Sequence, residues 1–215
     1  NNVAIGSGAL LVATTAADNT AIGTLALTAN TSGTDNTAVG YSSLDANTTG
    51  SDNTAIGDFA LSGNTTADNN TAIGSSALLN NSTGNQNVAV GESALAANTT
   101  ASRNVAVGSG TLETNTTGTD NIAVGHDALN DATTASYNVA IGSYAGDTLT
   151  TGASNTLMGY LAGTAITTGG HNVAVGEQAL EANTTGATNV AVGGEALTAN
   201  TTAADNTAIG YGTLK

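Results

Sequence analysis

The stretch that decides the fold is NTAVGYSSLDANTTGSD, residues 36–52, because the same 17-residue pattern recurs along the whole chain. Each copy begins Asn-(Thr/Val/Ile)-Ala-(Ile/Val)-Gly or a close variant, and we number repeat positions 1–17 from this Asn. The period divides the chain into Asn1, twelve full repeats over 2–205 and a partial repeat over 206–215, without insertion or deletion. The sequence therefore predicts a single tandem array over 1–215, which we interpret as a fragment of a longer fibre.

The repeat separates constant positions from variable ones. Position 1 is Asn and position 5 is Gly in all 13 copies, whereas positions 6, 7, 10 and 16 vary freely. Leu, Ile, Val and Phe make up only about 18% of the chain and the net charge is −14, a composition typical of disorder. A disordered chain has no need of a strict register, but a stacked one does, because one inserted residue would displace every later column. The pattern therefore predicts an all-β protein, a parallel β-solenoid (β-roll) of 17-residue coils.

Positions 2–4 of each repeat predict a strand, and two Gly-containing segments predict corners. The corners are Gly at position 5 and Thr-Thr-Gly at positions 13–15, and each coil should advance about 4.8 Å, or roughly 58 Å for twelve coils. In two repeats the Leu of position 9 is replaced by Gly146 and Gly163, while position 12 gains Leu149 and Ile166. This exchange conserves core volume only if both positions face the interior. Positions 7–11 are accordingly predicted to be irregular or to form a short helical turn.

The Asn at position 1 is predicted to form an internal ladder, in which each side-chain amide bonds to its equivalents in the neighbouring coils. The thirteen members are Asn2, Asn19, Asn36, Asn53, Asn70, Asn87, Asn104, Asn121, Asn138, Asn155, Asn172, Asn189 and Asn206.

The Ala at position 3 is predicted to lie on the strand face opposite the core residue of position 4. Because polar residues never occur at position 3, this face should also be buried, and a second copy of the chain is the simplest object to bury it. The alternative is that these alanines pack under a loop of their own chain. The predicted interchain seam comprises Ala4, Ala21, Ala38, Ala55, Ala72, Ala89, Ala106, Ala123, Ala140, Ala174, Ala191 and Ala208.

The composition excludes several classes of function. Two basic residues against 16 acidic ones cannot neutralise a nucleic-acid backbone. The absence of Cys excludes disulfide and Cys-based zinc frameworks, and no run of 18 apolar residues is present to span a membrane.

The titratable residues give little support to catalysis. His126 and His171 occupy different repeat positions, and although His126 precedes Asp127 as an acid–base pair would, both positions are variable. Glu92, Glu177 and Glu195 are likewise at variable positions. We therefore predict no enzymatic activity, no cofactor and no metal site.

A cation ladder at position 17 is the weaker alternative. The column comprises Asp18, Asp35, Asp52, Asp120 and Asp205, but Asn69, Gln86, Arg103 and Tyr137 replace the acid in other repeats.

The repeats resemble those of trimeric autotransporter adhesin heads and, more closely, those of phage tail fibres. Asn206–Tyr211 and Asn36–Gly50 carry the resemblance best, and it extends over the whole chain. It implies a left-handed β-roll assembled as a homotrimer, in an extracellular, cell-surface or virion fibre. The adhesin repeats are shorter than 17 residues, so their coil geometry does not transfer directly.

These observations predict a structural or adhesive fibre segment that projects and stiffens a receptor-binding assembly. Its partners would be further copies of itself and a cell-surface receptor or glycan. One alternative is an extracellular filament whose coil ends stack head to tail. A second is an ice-binding solenoid that uses Thr columns such as Thr31, Thr48, Thr65, Thr99 and Thr116.

Overall fold

The computed structural model describes all 215 residues and contains thirteen strands and no helix, hence no helix that could cross a membrane. Each strand consists of repeat positions 2–4. The strands are β1 Val3–Ile5, β2 Thr20–Ile22, β3 Thr37–Val39, β4 Thr54–Ile56, β5 Thr71–Ile73, β6 Val88–Val90, β7 Val105–Val107, β8 Ile122–Val124, β9 Val139–Ile141, β10 Thr156–Met158, β11 Val173–Val175, β12 Val190–Val192 and β13 Thr207–Ile209.

The chain divides into two compact units, Asn1–Asn104 and Val105–Lys215. The first contains β1–β6 and the second β7–β13, and within each unit successive strands pair in parallel. The register is 17 residues at every step, so that Ala38 lies beside Ala55 and Ala123 beside Ala140. The predicted parallel β-solenoid of 17-residue coils is confirmed. The single array over 1–215 stays a prediction.

The segment after each strand is a pair of tight turns, so of the two alternatives predicted for positions 7–11 the irregular one is confirmed and the short helical turn is wrong. Position 5 is Gly with φ between 119° and 139°, and positions 7 and 9 also have positive φ. The N–H of position 8 closes a turn on the carbonyl of position 5, as between Ala60 and Gly57 at 3.3 Å. The N–H of position 9 instead donates to the next coil, as from Leu44 to the Ala60 carbonyl at 2.9 Å. Left-handed residues and bonds between coils exclude a helical turn.

Leu at position 9 is the main core residue of each coil, although its backbone is left-handed. The left-handed conformation costs about 1–2 kcal/mol for a residue with a Cβ, whereas full burial of a Leu side chain contributes about 1.5–3 kcal/mol. Leu27, Leu61 and Leu129 are fully buried with φ of 53°. Burial therefore outweighs the local preference for Gly at this position.

Coils 9 and 10 rearrange the core in the way that the sequence predicts, with one addition. Leu149 and Ile166 are fully buried at position 12. A Cβ on Gly146 would lie 2.6 Å from Leu157 Cδ1 and 2.9 Å from Leu129 Cδ2. Leu157, the one residue other than Ala at position 3, thus fills the volume that the two glycines leave.

Candidate functional site

The Asn side chains of position 1 form a continuous ladder within each unit. The Oδ1 of each Asn accepts the backbone N–H of the equivalent Asn in the next coil, as from Asn53 to Asn36 at 3.1 Å. The Nδ2 of Asn53 also donates to Asn36 Oδ1 at 3.1 Å and to the Ala67 carbonyl at 2.9 Å. The second unit repeats the pattern, for example from Asn138 to Asn121. The ladder satisfies buried polar groups where the coil turns into its strand.

A second ladder at position 12 was not predicted, although the inward orientation of this position was. Asn64 Nδ2 donates to Asn47 Oδ1 at 2.9 Å, and Asn98 Nδ2 to Asn81 Oδ1 at 2.8 Å. Asn64 Nδ2 also donates to the carbonyl of Ala67 at position 15, which accepts from Asn53 as well. Eight repeats have Asn at position 12, and this frequency is the signal that could have identified the ladder.

The Ala column of position 3 lies inside the coil, which corrects the prediction that it forms a seam between chains. Eleven of its twelve alanines are no more than 3% exposed within the single chain, and only Ala4, in the first coil, is exposed. The column comprises Ala4, Ala21, Ala38, Ala55, Ala72, Ala89, Ala106, Ala123, Ala140, Ala174, Ala191 and Ala208. The narrow space opposite the position-9 Leu admits a methyl group, so the larger aliphatic residue of position 4 points outward.

The outward face of the strands is therefore an uncharged, largely apolar surface made by positions 2 and 4, which we call the sheet face. Its position-4 members are half-exposed or exposed, as with Ile56 at 39% and Ile141 at 38%. No charged residue occurs at either position in any of the thirteen coils. Thr with Ile, or Val with Val, occupies the pair in eight coils, and both combinations carry the same number of side-chain carbons. The apolar content of the face is thus held nearly constant.

The acidic residues are confined to other sides of the coil. All sixteen Asp and Glu residues occupy positions 6, 7, 10, 11, 16 or 17. Two outward surfaces consequently carry no charge in any coil: the sheet face, and positions 13 and 14, which we call the Thr face. Its residues are all Thr except Ser32 and Ser82. Because like charges oppose contact between copies, these two surfaces are where a partner meets the least repulsion.

The hydroxyls of the two Thr columns behave differently. At position 13 the hydroxyls donate to the carbonyl of the same position in the next coil, as from Thr48 to Thr65 at 2.9 Å and from Thr150 to Thr167 at 3.1 Å. The position-14 side chains make no hydrogen bond within the chain and are exposed throughout. The predicted Thr column of position 13, with Thr31, Thr48, Thr65, Thr99 and Thr116, is only half-exposed.

The predicted acid–base candidates lie on the surface and do not converge. His126 Nδ1 lies 3.0 Å from Asp127 Oδ2, while His171 is exposed at position 17, two coils further along the chain. Glu195 accepts a hydrogen bond from Tyr211 at 2.8 Å and pairs with Lys215. The Lys215 and Tyr211 hydrogen bonds hold the pKa of Glu195 below its ordinary value. Glu92 and Glu177 are exposed.

Aromatic rings form two short edge-to-face rows on the variable side of the coils. Tyr41 and Phe59 have ring centroids 5.3 Å apart. In the second unit, His126 and Tyr144 are 5.3 Å apart, and Tyr144 and Tyr160 are 6.3 Å apart. Burial, Asp131 and Asp127 together raise the pKa of the neighbouring Asp147 carboxyl above its ordinary value.

The position-17 acids have a structural explanation that needs no cation. Every residue at this position has φ between 57° and 63°. Asp and Asn are enriched in this left-handed region, which accounts for Asp18, Asp35, Asp52, Asp120 and Asp205 and for Asn69. No three His, Asp or Glu side chains are grouped so that they could hold a metal ion, and the structure contains no pocket.

Comparison of the chain with protein-family models, with curated proteins and with solved structures gives no match. The resemblance to adhesin and tail-fibre repeats therefore rests on the repeat sequence alone.

Proposed function

We propose that this chain is a non-catalytic segment of an extracellular, cell-surface or virion fibre, formed by three left-handed copies that associate along their sheet faces. The fibre would project and stiffen a receptor-binding assembly. The observation that carries this proposal is the sheet face, which combines exposed aliphatic side chains with a complete absence of charge in a chain of net charge −14. A parallel sheet is ordinarily covered on both faces, whereas the outward face of this one, made of Thr, Val, Ile and Met, is uncovered in the single chain.

The constancy of the sheet face supports its burial against a partner. Replacing Val by Thr removes a methyl group, and replacing Val by Ile adds a methylene group, so Thr with Ile matches Val with Val. Strand propensity alone would also favour Tyr, Phe or Trp at repeat positions 2 and 4, yet none of them occurs there. A surface made of β-branched residues, with Met158 as the exception, allows three such faces to converge closely on a common axis.

The mass of the chain in solution tests the association. A homotrimer should have about three times the 20.6 kDa chain mass, and a stable monomer would overturn the trimer. Ile73→Lys and Val107→Lys place a charge in the sheet face and should dissociate the assembly. Ser75→Lys and Ser109→Lys add the same charge two residues along the same coils, outside that face, and should leave the mass unchanged. Polymers of variable length would instead favour the head-to-tail filament.

The aromatic rows are the surface that we assign to a receptor or glycan. Tyr144 packs against Tyr160 and against His126, whose ring lies 3.0 Å from the Asp127 carboxyl, and the Tyr144 carbonyl accepts the Asp147 N–H at 3.4 Å. Ring faces next to hydrogen-bond acceptors suit the C–H groups and hydroxyls of sugars. Tyr144→Ala with Tyr160→Ala should abolish retention on a glycan array that retains the parent chain. Tyr137→Ala, an exposed Tyr outside these rows, is the matched control.

A further inference from the structure

The position-14 column of the Thr face is constant and exposed, and nothing in the fold requires it to be constant. Its members are Thr15, Ser32, Thr49, Thr66, Thr83 and Thr100 in the first unit, and Thr117, Thr134, Thr151, Thr168, Thr185 and Thr202 in the second. All twelve are exposed. Positions 6, 7, 10, 16 and 17 are also outward-facing, and there the residue type changes from coil to coil.

The structural requirement for Thr is met by position 13 alone. Thr116 and Thr133, like Thr48 and Thr65, donate their hydroxyls along the stack and help to hold neighbouring coils together. At position 14 only the backbone takes part, as in the bond from the Thr134 N–H to the Thr150 carbonyl at 3.4 Å. Any residue with a backbone N–H can make that bond. The free hydroxyl and methyl of position 14 are thus retained for a purpose other than folding.

The solenoid sets the geometry of this column. Parallel backbone pairing spaces equivalent atoms of neighbouring coils about 4.8 Å apart. Each unit therefore holds a file of six hydroxyl groups with one fixed period, and each hydroxyl has a methyl group beside it except that of Ser32. No acidic residue lies at position 13 or 14 to break the file. A ligand that meets all six groups at once must itself be periodic, uncharged and rich in hydroxyl groups.

We propose that the position-14 column binds ice. The spacing of the coils is close to a repeat of the water oxygens at an ice surface, so that each Thr hydroxyl can stand in for a lattice water while its methyl group orders the adjoining ones. A single such contact is weak, but rigid repetition makes the contacts simultaneous, and the combined affinity grows with their number. If the fibre proposed above is correct, this column would be an adhesive surface in addition to the aromatic rows, with ice as its ligand.

Partitioning of the full chain into slowly growing polycrystalline ice, together with thermal hysteresis, tests this proposal. The parent chain should be incorporated into the ice and should depress the freezing point below the melting point. Thr66→Lys with Thr151→Lys, one change in each unit, should lower incorporation at least about tenfold, because each Lys interrupts six simultaneous contacts. Circular dichroism and the urea midpoint should not change, since position 14 makes no side-chain bond.

Matched variants separate this site from the sheet face. Ser75→Lys with Ser109→Lys adds the same charge outside the Thr face and should leave incorporation intact. Thr65→Val removes a position-13 hydroxyl and should lower stability rather than ice affinity.

Exclusion of the parent chain from ice would overturn the proposal, as would equal incorporation of the position-14 variants. A change in solution mass caused by those variants would overturn it too, because the column would then be a contact between copies. Ile73→Lys should alter mass without altering ice incorporation, so the two proposals can fail independently.

Discussion

Asn at repeat position 1 is constant because one side chain satisfies three buried backbone or side-chain groups at once. Its Oδ1 accepts from the next coil, and its Nδ2 donates both to the preceding Asn and to the position-15 carbonyl, as Asn53 does. No other residue of that size has a donor and an acceptor on one planar group. The ladder therefore explains an Asn in all 13 repeats, which the preference of Asn for turns does not.

Asn53→Ala should lower the free energy of unfolding by about 3 kcal/mol or more, because each buried group that loses its partner costs about 1–3 kcal/mol. Asn80→Ala removes an exposed Asn whose side chain makes no hydrogen bond within the chain, and should change stability by less than about 0.5 kcal/mol. Urea unfolding of both variants measures the difference. If the two substitutions lowered the free energy of unfolding equally, the hydrogen bonds of the ladder would not stabilise the fold.

Gly at position 5 is constant for two reasons that act together. Gly57 has φ of 136°, which a side chain strains, and a Cβ there would lie 2.5 Å from the carbonyl oxygen of Gly74 in the next coil. Backbone cannot yield as a flexible side chain can, so neither problem is relieved locally.

Gly57→Ala should therefore destabilise the fold by about 1–3 kcal/mol from strain alone, with the steric overlap adding to it. Gly194→Ala is the control, because φ is ordinary there and the nearest atoms, 3.2 Å away, belong to the Tyr211 ring. A thermal melt of each variant checks the contrast, and a Gly57→Ala midpoint as high as that of Gly194→Ala would contradict it.

At the scale of the coil, the core of coils 8–10 works as one packing unit. Gly146 and Gly163 leave room that Leu157 enters from the strand, while Leu149 and Ile166 replace the second Asn ladder. The substitutions in these coils therefore depend on one another, as the exchange between positions 9 and 12 indicated.

Gly146→Leu should destabilise the parent chain by about 1–3 kcal/mol through overpacking. In a Leu157→Ala background the same change should cost less, because the atom nearest to the added Cβ is gone. A double-mutant cycle should give a coupling free energy above about 0.5 kcal/mol. Additive effects would mean that Leu157 does not fill the glycine space.

Three carboxyl groups on the variable side of coils 8 and 9, those of Asp127, Asp131 and Asp147, repel one another. Partial burial, then Asp131 and Asp127, raise the pKa of Asp147, so its ionisation is less favourable in the folded chain than in the unfolded one. Such a group contributes stability below its unfolded pKa and loses that contribution as pH rises through the folded pKa.

Asp147→Asn should consequently stabilise the chain at pH 7, and the advantage should vanish once the pH falls below the ordinary Asp value of 3.8. Urea unfolding at a series of pH values measures this. Asp35→Asn, at an exposed left-handed position, reports the effect of removing one charge from the chain as a whole. An advantage for Asp147→Asn that grew toward low pH would reverse the assigned sign.

At the scale of the whole molecule, the 17-residue register matters more than any individual side chain. Every ladder and core column in either unit depends on the equivalence of residues one coil apart. An insertion that respects the period adds a coil, and one that does not displaces every inward residue beyond it to the wrong side.

Duplicating residues 172–188 should yield a folded chain of unchanged or greater stability. Inserting one Gly between Val173 and Ala174 should abolish cooperative unfolding of the second unit, because Ala174 and its successors leave their columns. Circular dichroism and urea unfolding distinguish the two. A one-residue insertion tolerated as well as the 17-residue duplication would refute the importance of register.

The sequence predicted which way the side chains point at some repeat positions and not at others. Period, strand position and the inward orientation of positions 9 and 12 followed from the repeat, since copies of a stacked unit reveal which residues compensate for one another. The direction of positions 3 and 4 did not, because both are apolar in nearly every coil and alternation alone cannot say which is inside. The expectation that the larger residue is buried failed in a coil too narrow for it.

The sequence by itself determined that the chain is a stack of 17-residue coils with an Asn column at its corner, because only equivalence between coils makes such a period necessary. Only the tertiary structure decided which surfaces face outward. The space between the strand and the returning chain is filled by the position-9 Leu and by methyl groups, so Ala turns inward, while Ile, Val and the position-14 Thr are left on the surface. The width of this space follows from how the side chains of the whole coil pack, and it cannot be read from the sequence of one repeat.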